Sequence, residues 1–390
     1  METMSSDHYD LIIIGGGPIG MSLSIALRHS GLSVLLLEAR KEPEKNKDPR
    51  PLAFSHGSRL ILQRLGVWEA LSEVTPIKAI HISNRGGFGR TLLTASEIDV
   101  PALGYVILHH DIFRVMHEKL QDCGVDYLTE AQVTQLECNV AEGQVKFQHN
   151  GQLKQATANL LVLADGGRLI GQVEEITQHV QDYEQWAIVS RIEASESQCG
   201  MAYERFTSDG PVAMLPFGKN FSLVWTVSPS VAQEILSLDD ATFLARLHSH
   251  FGDRIGKFTC TGKRSGFPLA LKYATPVAGR RVVLIGNAAQ TLHPVAGQGF
   301  NLGLRDAWEL SGEIIETSSD IGSPVMLSKY QAKRKIDSGG GRIFTDSLVK
   351  IFSNENILLQ GMRGIGLSAL DCFPPAKRFV AKRMMFGSRG

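Results

Sequence analysis

The sequence predicts an α/β fold with a parallel sheet whose strands come from separate segments of the chain. An antiparallel sheet is inserted between these segments, and a helical C-terminal region follows. Two continuous apolar runs, Leu11–Ile14 and Val34–Leu37, flank a segment with helical spacing, which is typical of a strand–helix–strand unit. Between about residues 180 and 270, short alternating runs without crossover helices predict antiparallel strands. Val282–Ile285 restores the parallel-strand signature, and helical spacing follows Leu302.

The remaining elements follow in chain order from the same patterns. A glycine-rich turn at 15–20 leads into a predicted helix at 21–29, and the charged, proline-containing stretch 41–51 is a predicted loop. Further helices are predicted at 58–71 and 111–120, with short alternating segments at 80–106. Further strands are predicted at 126–128, 131–137, 144–148 and 160–164, and strands of the inserted sheet at 186–192, 202–207, 212–216 and 222–227.

Composition places the chain among globular proteins and excludes a global attraction to nucleic acid. Of 390 residues, 43% are hydrophobic and 21% are charged, and 40 basic residues balance 40 acidic ones. No C-x-x-C pair occurs, so reduced thiols and no metal site are expected; the cysteines are Cys123, Cys138, Cys199, Cys260 and Cys372. We expect neither a signal peptide nor a membrane span of about 20 apolar residues, which favours a cytoplasmic location.

The first glycine motif has the spacing of a dinucleotide-binding turn. Gly15 permits the tight turn after the first strand, Gly17 lets the backbone approach a pyrophosphate, and Gly20 lets the helix pack closely. The free N–H groups at the start of the helix attract phosphate. Glu38, at the end of the second strand, can accept hydrogen bonds from both ribose hydroxyls. These residues predict a Rossmann-like domain and leave open whether it binds NAD or FAD.

Two later motifs bear on this choice. Leu161–Gly166 is a buried strand that ends in Asp165 and Gly166, a pattern that an ordinary turn also has. The run GNAAQTLHPVAGQGFNLG, residues 286–303, places several glycines and a proline between a strand and a helix, which is not typical of a linker.

With these motifs the sequence resembles the class A flavoprotein aromatic hydroxylases, the para-hydroxybenzoate hydroxylase type, from Asp10 to about Phe386. Within them it is similar to the ubiquinone-biosynthesis hydroxylases, through residues 286–303, Ala202–Thr207 and Gly262–Ser265. The resemblance implies FAD, molecular oxygen and NAD(P)H or another electron donor. It implies hydroxylation of a polyprenyl phenol through a flavin C4a-hydroperoxide.

The resemblance also implies a division of the chain. The FAD-binding domain is expected at 1–78, 107–178 and 272–330, the substrate-binding sheet domain at 79–106 and 179–271, and a C-terminal helical region at 331–390.

Cofactor-binding residues are carried over from the same resemblance. Gly15, Gly17, Gly20 and Glu38 hold the ADP half of FAD, Val133 offers its backbone to the adenine, and Arg50 lies near the flavin and pyrophosphate. The other expected cofactor positions are His109, Asp165, Gly166, Gly286, Asn287, Gly297, Gln298, Gly299 and Asn301.

The sequence departs from the family pattern in three places. Asn287 stands where an Asp is usual, although an Asn can still hydrogen-bond the ribityl chain. His109 stands where many relatives carry Arg, and a structural role is its alternative. Asp165 and Gly166 lack the Ser and Arg that usually follow them, which leaves the electron donor open.

The reaction centre is expected where the inserted sheet roofs a dry cavity. Backbone N–H groups near Gly297 and Gly299 can stabilise negative charge on reduced flavin. Pro294 is expected beside the flavin ring, and His293 is the candidate for assisting phenol deprotonation, with backbone hydrogen bonding at a turn as its alternative. Candidates for lining the cavity, each with core packing as the alternative, are Tyr203, Met214, Pro216, Phe217 and Trp225.

The last residues suggest a contact outside the fold. Residues 374–390 carry five basic side chains and no acidic one, interleaved with apolar residues. This pattern is compatible with peripheral contact at the inner membrane or with a ubiquinone-biosynthesis complex, and a solvated final helix is the alternative. Three other functions stay open at this point: a hydroxylase acting at another ring position in the same pathway, a flavin reductase of the same fold, and a non-catalytic flavin-binding subunit.

Overall fold

The computed structural model of the chain describes residues 7–41, 51–85, 87–196, 200–207, 209–293, 297–317, 320–352 and 357–387. Its strands form three sheets. Two of the expected site residues, Arg50 and Pro294, lie outside the described residues.

The strands of these sheets are numbered in chain order. They are β1 (Asp7–Ile14), β2 (Val34–Leu37), β3 (Pro51–Ser55), β4 (Val74–Ile77), β5 (Ala79–Asn84), β6 (Arg90–Thr94), β7 (Gly104–Leu108), β8 (Asp126–Leu128), β9 (Gln132–Cys138), β10 (Gly143–His149), β11 (Gln152–Leu163), β12 (Thr177–Ala194), β13 (Met201–Thr207), β14 (Gly210–Phe217), β15 (Asn220–Val227), β16 (Phe258–Thr261), β17 (Ser265–Thr275), β18 (Ala278–Gly279), β19 (Val282–Leu284) and β20 (Gln290–Thr291).

The α-helices of the described residues are α1 (Pro18–Ala26), α2 (His56–Arg64), α3 (His109–Gln121), α4 (Pro229–Ser237), α5 (Asp240–Phe251), α6 (Gln298–Glu316), α7 (Pro324–Phe352), α8 (Ile357–Cys372) and α9 (Pro374–Phe386). Helix α1 begins earlier than predicted, because Pro18 stands in the first turn, where its missing N–H costs nothing. Helix α2 ends earlier than predicted, because Gly66 at φ +71° turns the chain, and only a short 3₁₀ turn, Trp68–Ala70, follows.

The first sheet carries the parallel strands in the order β18–β19–β11–β1–β2–β8. Strand β1 pairs in parallel with β2 and β11, and β11 pairs in parallel with β19. Leu11–Ile14 are buried because the apolar side chains of α1, α3 and α6 cover one face and a second apolar cluster, which includes residues of β9 and β10, covers the other. The α/β class is confirmed.

The second sheet has the order β20–β17–β12–β15–β14–β13–β5–β6, and β16 pairs with β12. Most pairs are antiparallel, as predicted for the inserted segment, but β13 pairs with β5 in parallel. Helices α4 and α5 cover one face through a cluster that includes Trp225, Phe243 and Phe251. The opposite face borders a cavity.

A small third sheet, β3–β7–β4, connects the two larger ones and is not apparent in the sequence pattern. Phe54 and Ile107 belong to the core beneath the first sheet. Ile77 and Val106 pack against Ala202 and Phe217 of the second sheet. The two large sheets are therefore held together by packed side chains.

The C-terminal helices pack against elements of all three sheets. Helix α7 packs on α6, where the buried guanidinium of Arg334 bonds Asp306 at 2.6 Å and Asp337 at 2.7 Å. Helix α8 contacts β6, and α9 contacts α2 and β3. Among the helices of the described residues, none has the length and apolar character needed to cross a bilayer. The domain limits given above stay predictions.

Candidate functional site

A cavity of about 1860 Å³ extends from the carboxyl ends of the parallel strands to the inner face of the second sheet. Gly15, Glu38 and Gly299 line it on the side of the first sheet, and Ile82 and Leu215 line it on the side of the second. Ligands of open α/β sheets bind at this edge, outside the carboxyl ends of the strands. The fold thus brings the separated glycine motifs to one cavity.

The turn after β1 requires glycine at two positions. Gly15 has φ +115°, and a Cβ there would lie 2.5 Å from the carbonyl oxygen of Ala164. A Cβ on Gly20 would overlap the carbonyl oxygen of Gly15, because α1 packs directly against the turn. Only backbone without side chains can make this approach.

Two helix N-termini open onto the cavity without a capping side chain. Gly17 is the N-cap of α1, and Gly297, at φ +60°, is the N-cap of α6. A Cβ on Gly17 or Gly299 would meet no atom within 4 Å, so the space before these backbones can take a ligand. The N–H groups and positive dipole ends there favour phosphate or other negative charge.

Glu38 directly follows β2, is buried and lines the cavity. Its Oε2 accepts a hydrogen bond from the Gly16 N–H at 2.9 Å, and its Oε1 accepts from the Arg40 N–H at 2.9 Å. Burial raises the pKa of this carboxyl, but the hydrogen bonds and charge of Arg40 outweigh it and hold the pKa below the ordinary value. The group is therefore an anionic acceptor at neutral pH.

Four further predicted cofactor positions line the same cavity, namely Val133, His109, Asp165 and Gly166. The carboxylate of Asp165 accepts from the backbone N–H of Gly167 at 2.9 Å and of Leu169 at 3.0 Å. Asp165 thus fixes the conformation of its own loop. Arg168, which the sequence reasoning did not single out, also lines the cavity, two residues beyond Gly166.

Gly286 and Asn287 line the cavity, and Gly286 lies next to the first glycine turn, since a Cβ on it would be 3.2 Å from the Ile19 side chain. Gly286 has φ +61°, and its N–H donates to the buried Oδ2 of Asp306 at 3.0 Å. A Cβ on Gly303 would lie 3.0 Å from the Gly286 Cα, so α6 passes close to this turn. The glycines of the 286–303 motif therefore serve close packing as well as cavity access.

Gln298 and Asn301 are not among the residues that line the cavity, and their roles toward the cofactor stay predictions. The Gln298 side chain donates to the carbonyl of Met384 in α9. Asn301 is 2% exposed and uses both ends of its amide inside the protein, bonding Ser55, Ser58, Ala53 and Gly297. Its side chain positions the N-terminus of α6.

His293 is poorly suited to the role of base that the sequence suggested. Its side chain is 1% exposed, packs edge-to-face against Tyr183, and is not among the cavity-lining groups. Burial lowers its pKa to about 4, so it is neutral and weakly basic at neutral pH.

The predicted lining residues of the second sheet divide between its two faces. Phe217 lines the cavity, whereas Met214 and Trp225 lie in the cluster beneath α4 and α5. Tyr203 belongs to the same cluster, where its ring packs on Phe221 and Phe251, and it only borders the cavity. Pro216 has the same parity as Met214 on β14 and does not line the cavity either. This corrects the predicted set.

Several residues that line the cavity were not predicted from the sequence. On β14 and β15 the cavity face is formed by Ala213, Leu215 and Val224, whose alternation with larger side chains was the available signal. Glu204 of β13 also lines the cavity. Leu367 and Leu370 of α8 and Val380 and Met384 of α9 complete the wall, and nothing local in the sequence indicates that contact.

The residues fit an adenine dinucleotide that carries a second ring system. The glycine turn and the α1 N-terminus suit a pyrophosphate, Glu38 suits ribose hydroxyls, and the uncapped α6 N-terminus suits a further electron-rich group in the same cavity. Among the residues that the structure describes, no cluster of His, Cys, Asp or Glu could hold a metal ion.

The chain belongs to the FAD-binding domain family, whose model matches residues 8–337. It is an FAD-dependent monooxygenase of the subgroup that includes ubiquinone-biosynthesis hydroxylases. It is 32% identical over 389 residues to ubiquinone hydroxylase UbiL of Rhodospirillum rubrum, covering 96% of this chain and 89% of the relative. It is 27% identical to 3-demethoxyubiquinol 3-hydroxylase of Escherichia coli, covering 97% of this chain and 99% of the relative.

The fold is similar to that of known flavoenzymes. The crystal structure of p-nitrophenol 4-monooxygenase PnpA from Pseudomonas putida superposes with a TM-score of 0.80 at 15% identity, covering 99% of this chain and 100% of the other. That likeness confirms the fold class.

Proposed function

We propose that this protein hydroxylates the aromatic ring of a polyprenyl phenol in ubiquinone biosynthesis, converting 2-polyprenyl-6-methoxyphenol to the 1,4-benzoquinol. The observation that carries the proposal is the single cavity shared by the cofactor loops and a broad apolar surface. The names of the relatives UbiL and 3-demethoxyubiquinol 3-hydroxylase support ring hydroxylation in this pathway. The ring position is a prediction from the sequence resemblance alone.

The apolar part of the cavity suits an isoprenoid chain. It is lined by Ile80, Ile82 and Leu93 of β5 and β6 together with Leu367, Leu370, Val380 and Met384 of α8 and α9. Burial of an alkyl chain against such side chains contributes about 25 cal/mol per Å² of apolar surface. We place the isoprenoid chain toward α8 and α9, and the ring on the inner face of the second sheet, between that part and the glycine loops.

Bound FAD supplies electron transfer from NAD(P)H or another donor and the activation of molecular oxygen. Residues of the chain do the rest. The α1 N-terminus and Glu38 hold the ADP half, and the N–H groups at the α6 N-terminus orient the ring system and favour negative charge on it. Apolar side chains around the phenol exclude water from the reacting atoms.

The test uses purified FAD-loaded protein, NADPH, ¹⁸O₂ and 2-farnesyl-6-methoxyphenol. We expect one labelled oxygen atom in the ring product, at a position that NMR assigns. Consumption of NADPH and oxygen with no label in the ring contradicts the proposal. A label at another ring carbon preserves ring hydroxylation and contradicts the stated position.

We also propose that α9 contacts an anionic lipid surface. Phe379 is 66% exposed and lies between the exposed Arg378 and Lys382, while Val380 and Met384 of the same helix line the cavity. Phe373, at the start of this helix, is 59% exposed. Apolar side chains flanked by basic ones complement an anionic bilayer, from which a polyprenyl phenol must be taken.

Co-sedimentation with vesicles of phosphatidylglycerol and phosphatidylcholine tests this contact. We expect binding that weakens with salt and falls in a Phe379→Ser, Arg378→Gln double variant. Val140→Ser, which alters an exposed side chain on the β9–β10 hairpin, is the matched control. Equal sedimentation of both variants and the wild type contradicts the contact.

Point variants are preferable to deletion of the C-terminal residues, because Ala381 and Met385 of α9 are buried in the protein. Membership of a biosynthetic complex stays a prediction.

A further inference from the structure

Glu204 is a carboxyl group placed on the cavity face of the second sheet. It lies on β13, where the lining residues Ala202, Glu204 and Phe206 alternate with residues of the opposite face. Its neighbours in register are Ile82 of β5 and Ala213 of β14, and both of these also line the cavity. A carboxyl group on an apolar wall is uncommon, because it loses hydration without compensation.

No described residue compensates for that loss. None of them donates a hydrogen bond to the Glu204 carboxyl or forms an ion pair with it. The charged neighbours on the same strands face the other side of the sheet. His81 of β5 contacts Arg254, and the Arg205 guanidinium donates to the Phe251 carbonyl. The neighbours of Glu204 on β5 and β14, Ile82 and Ala213, are therefore apolar. From α8, Leu367 packs against Phe206, two residues along β13 from Glu204.

Burial raises the pKa of Glu204 to about 7. A carboxyl at this value is ionised in a substantial fraction at neutral pH and is a stronger base than an exposed carboxylate. Perturbed groups in a cavity that also holds the cofactor loops are the usual acids and bases of an active site.

We infer that Glu204 is the catalytic base that receives the proton of the phenol substrate. The phenol O–H bond breaks, the proton bonds to a carboxylate oxygen of Glu204, and the electron pair stays on the phenolate oxygen. Delocalisation of that pair raises electron density at the ring carbons ortho and para to the oxygen, which is where an electrophilic oxygen atom attacks. After product release the carboxyl returns the proton to solvent. The inference rests on the proposed function, since it needs a phenol as substrate.

The role explains features that core packing does not. The predicted base, His293, is enclosed and weakly basic, whereas Glu204 is open to the cavity and lacks a competing partner among the described residues. A phenol O–H would satisfy the carboxylate and be oriented by it. Glu204 would thus fix which ring carbon faces the cofactor.

The experiment compares Glu204→Gln, Glu204→Asp and the control Glu193→Gln, which alters an exposed carboxylate on β12 of the same sheet. With FAD-loaded enzyme and 2-farnesyl-6-methoxyphenol, kcat/KM of the wild type should rise with pH through about 7, because the base must be ionised. Glu204→Gln should lower kcat/KM by about 10²-fold or more at about pH 8 and remove that rise. Glu204→Asp should restore part of the rate and the rise, and Glu193→Gln should match the wild type.

A second measurement covers the case in which Glu204→Gln loses flavin or fails to fold. Infrared difference spectra of the wild type at about pH 8 should show the C=O band of a protonated carboxyl appearing when the phenol binds. An unchanged rate and pH profile in folded, flavin-loaded Glu204→Gln overturns the inference, as does the absence of this band. A wild-type enzyme that does not hydroxylate the phenol contradicts the proposed function instead.

Discussion

The side-chain Oδ1 of Asn301 accepts a hydrogen bond from the backbone N–H of Ser55 at 2.8 Å, joining the N-terminal turn of α6 to the end of β3. The same amide donates to the carbonyls of Ala53 and Gly297. One buried side chain therefore fixes the position of an uncapped helix N-terminus at the edge of the cavity.

Asn301→Ala should destabilise the protein by about 1–3 kcal/mol, because it leaves several buried polar groups without partners. It should also weaken FAD binding, since the α6 N-terminus is no longer held. Thermal unfolding and flavin absorbance after gel filtration measure the two effects. Gln121→Ala, at an exposed position in the last turn of α3, is the control. Equal unfolding temperatures for Asn301→Ala and Gln121→Ala would show that the amide network contributes nothing.

Gly17→Ala should leave the fold intact and reduce FAD occupancy. The added methyl group meets no protein atom within 4 Å, so it should disturb only a ligand bound in front of the α1 N-terminus. Gly171→Ala is a matched control, because a Cβ there also meets nothing within 4 Å and Gly171 does not line the cavity. Titration of the apoproteins with FAD provides the comparison. Equal affinities in the two variants would argue against pyrophosphate binding at this turn.

Glu38→Gln should weaken FAD binding by about tenfold or more, because a charged hydrogen-bond acceptor for ribose is lost. It should also change the pH dependence of stability. The folded-state pKa of Glu38 is depressed, so its contribution to the free energy of unfolding is present above the ordinary value of 4.5 and is lost as the pH falls below it. Denaturant unfolding of the apoprotein from about pH 3 to 7 tests this, with the exposed Glu118→Gln as control. Parallel profiles for all three proteins would contradict the expectation.

Glu204→Gln should become more stable relative to the wild type as the pH rises. Burial raises the folded-state pKa of Glu204 from 4.5 to about 7, so the unfolded state ionises first and the wild type loses stability across that interval. Above a pH of about 7 the difference in the free energy of unfolding between the two proteins should stay constant. Unfolding of the two proteins without substrate at a series of pH values measures it. A difference that does not change between these limits would show that the carboxyl is well solvated in the cavity.

The order of elements and the cofactor loops were accessible from sequence because they depend on local signals. Continuous apolar strands, glycine spacing and the acid at the end of β2 each act within a few residues. The roles of Asn301 and Gln298 were not accessible, since their partners Ser55 and Met384 are distant in sequence and nearby residues do not specify them. Which side chains of β14 and β15 face the cavity could not be predicted without the strand register. A shift of one residue would place Met214 on the cavity face in place of Leu215.

The parallel pairing of β13 with β5 has an evolutionary consequence. The chain enters the second sheet at β5 and β6, leaves it, returns for β12 to β17, leaves again, and adds β20 at its edge. The second sheet is therefore built from separate segments of the chain, and recombination could not transplant it in one piece.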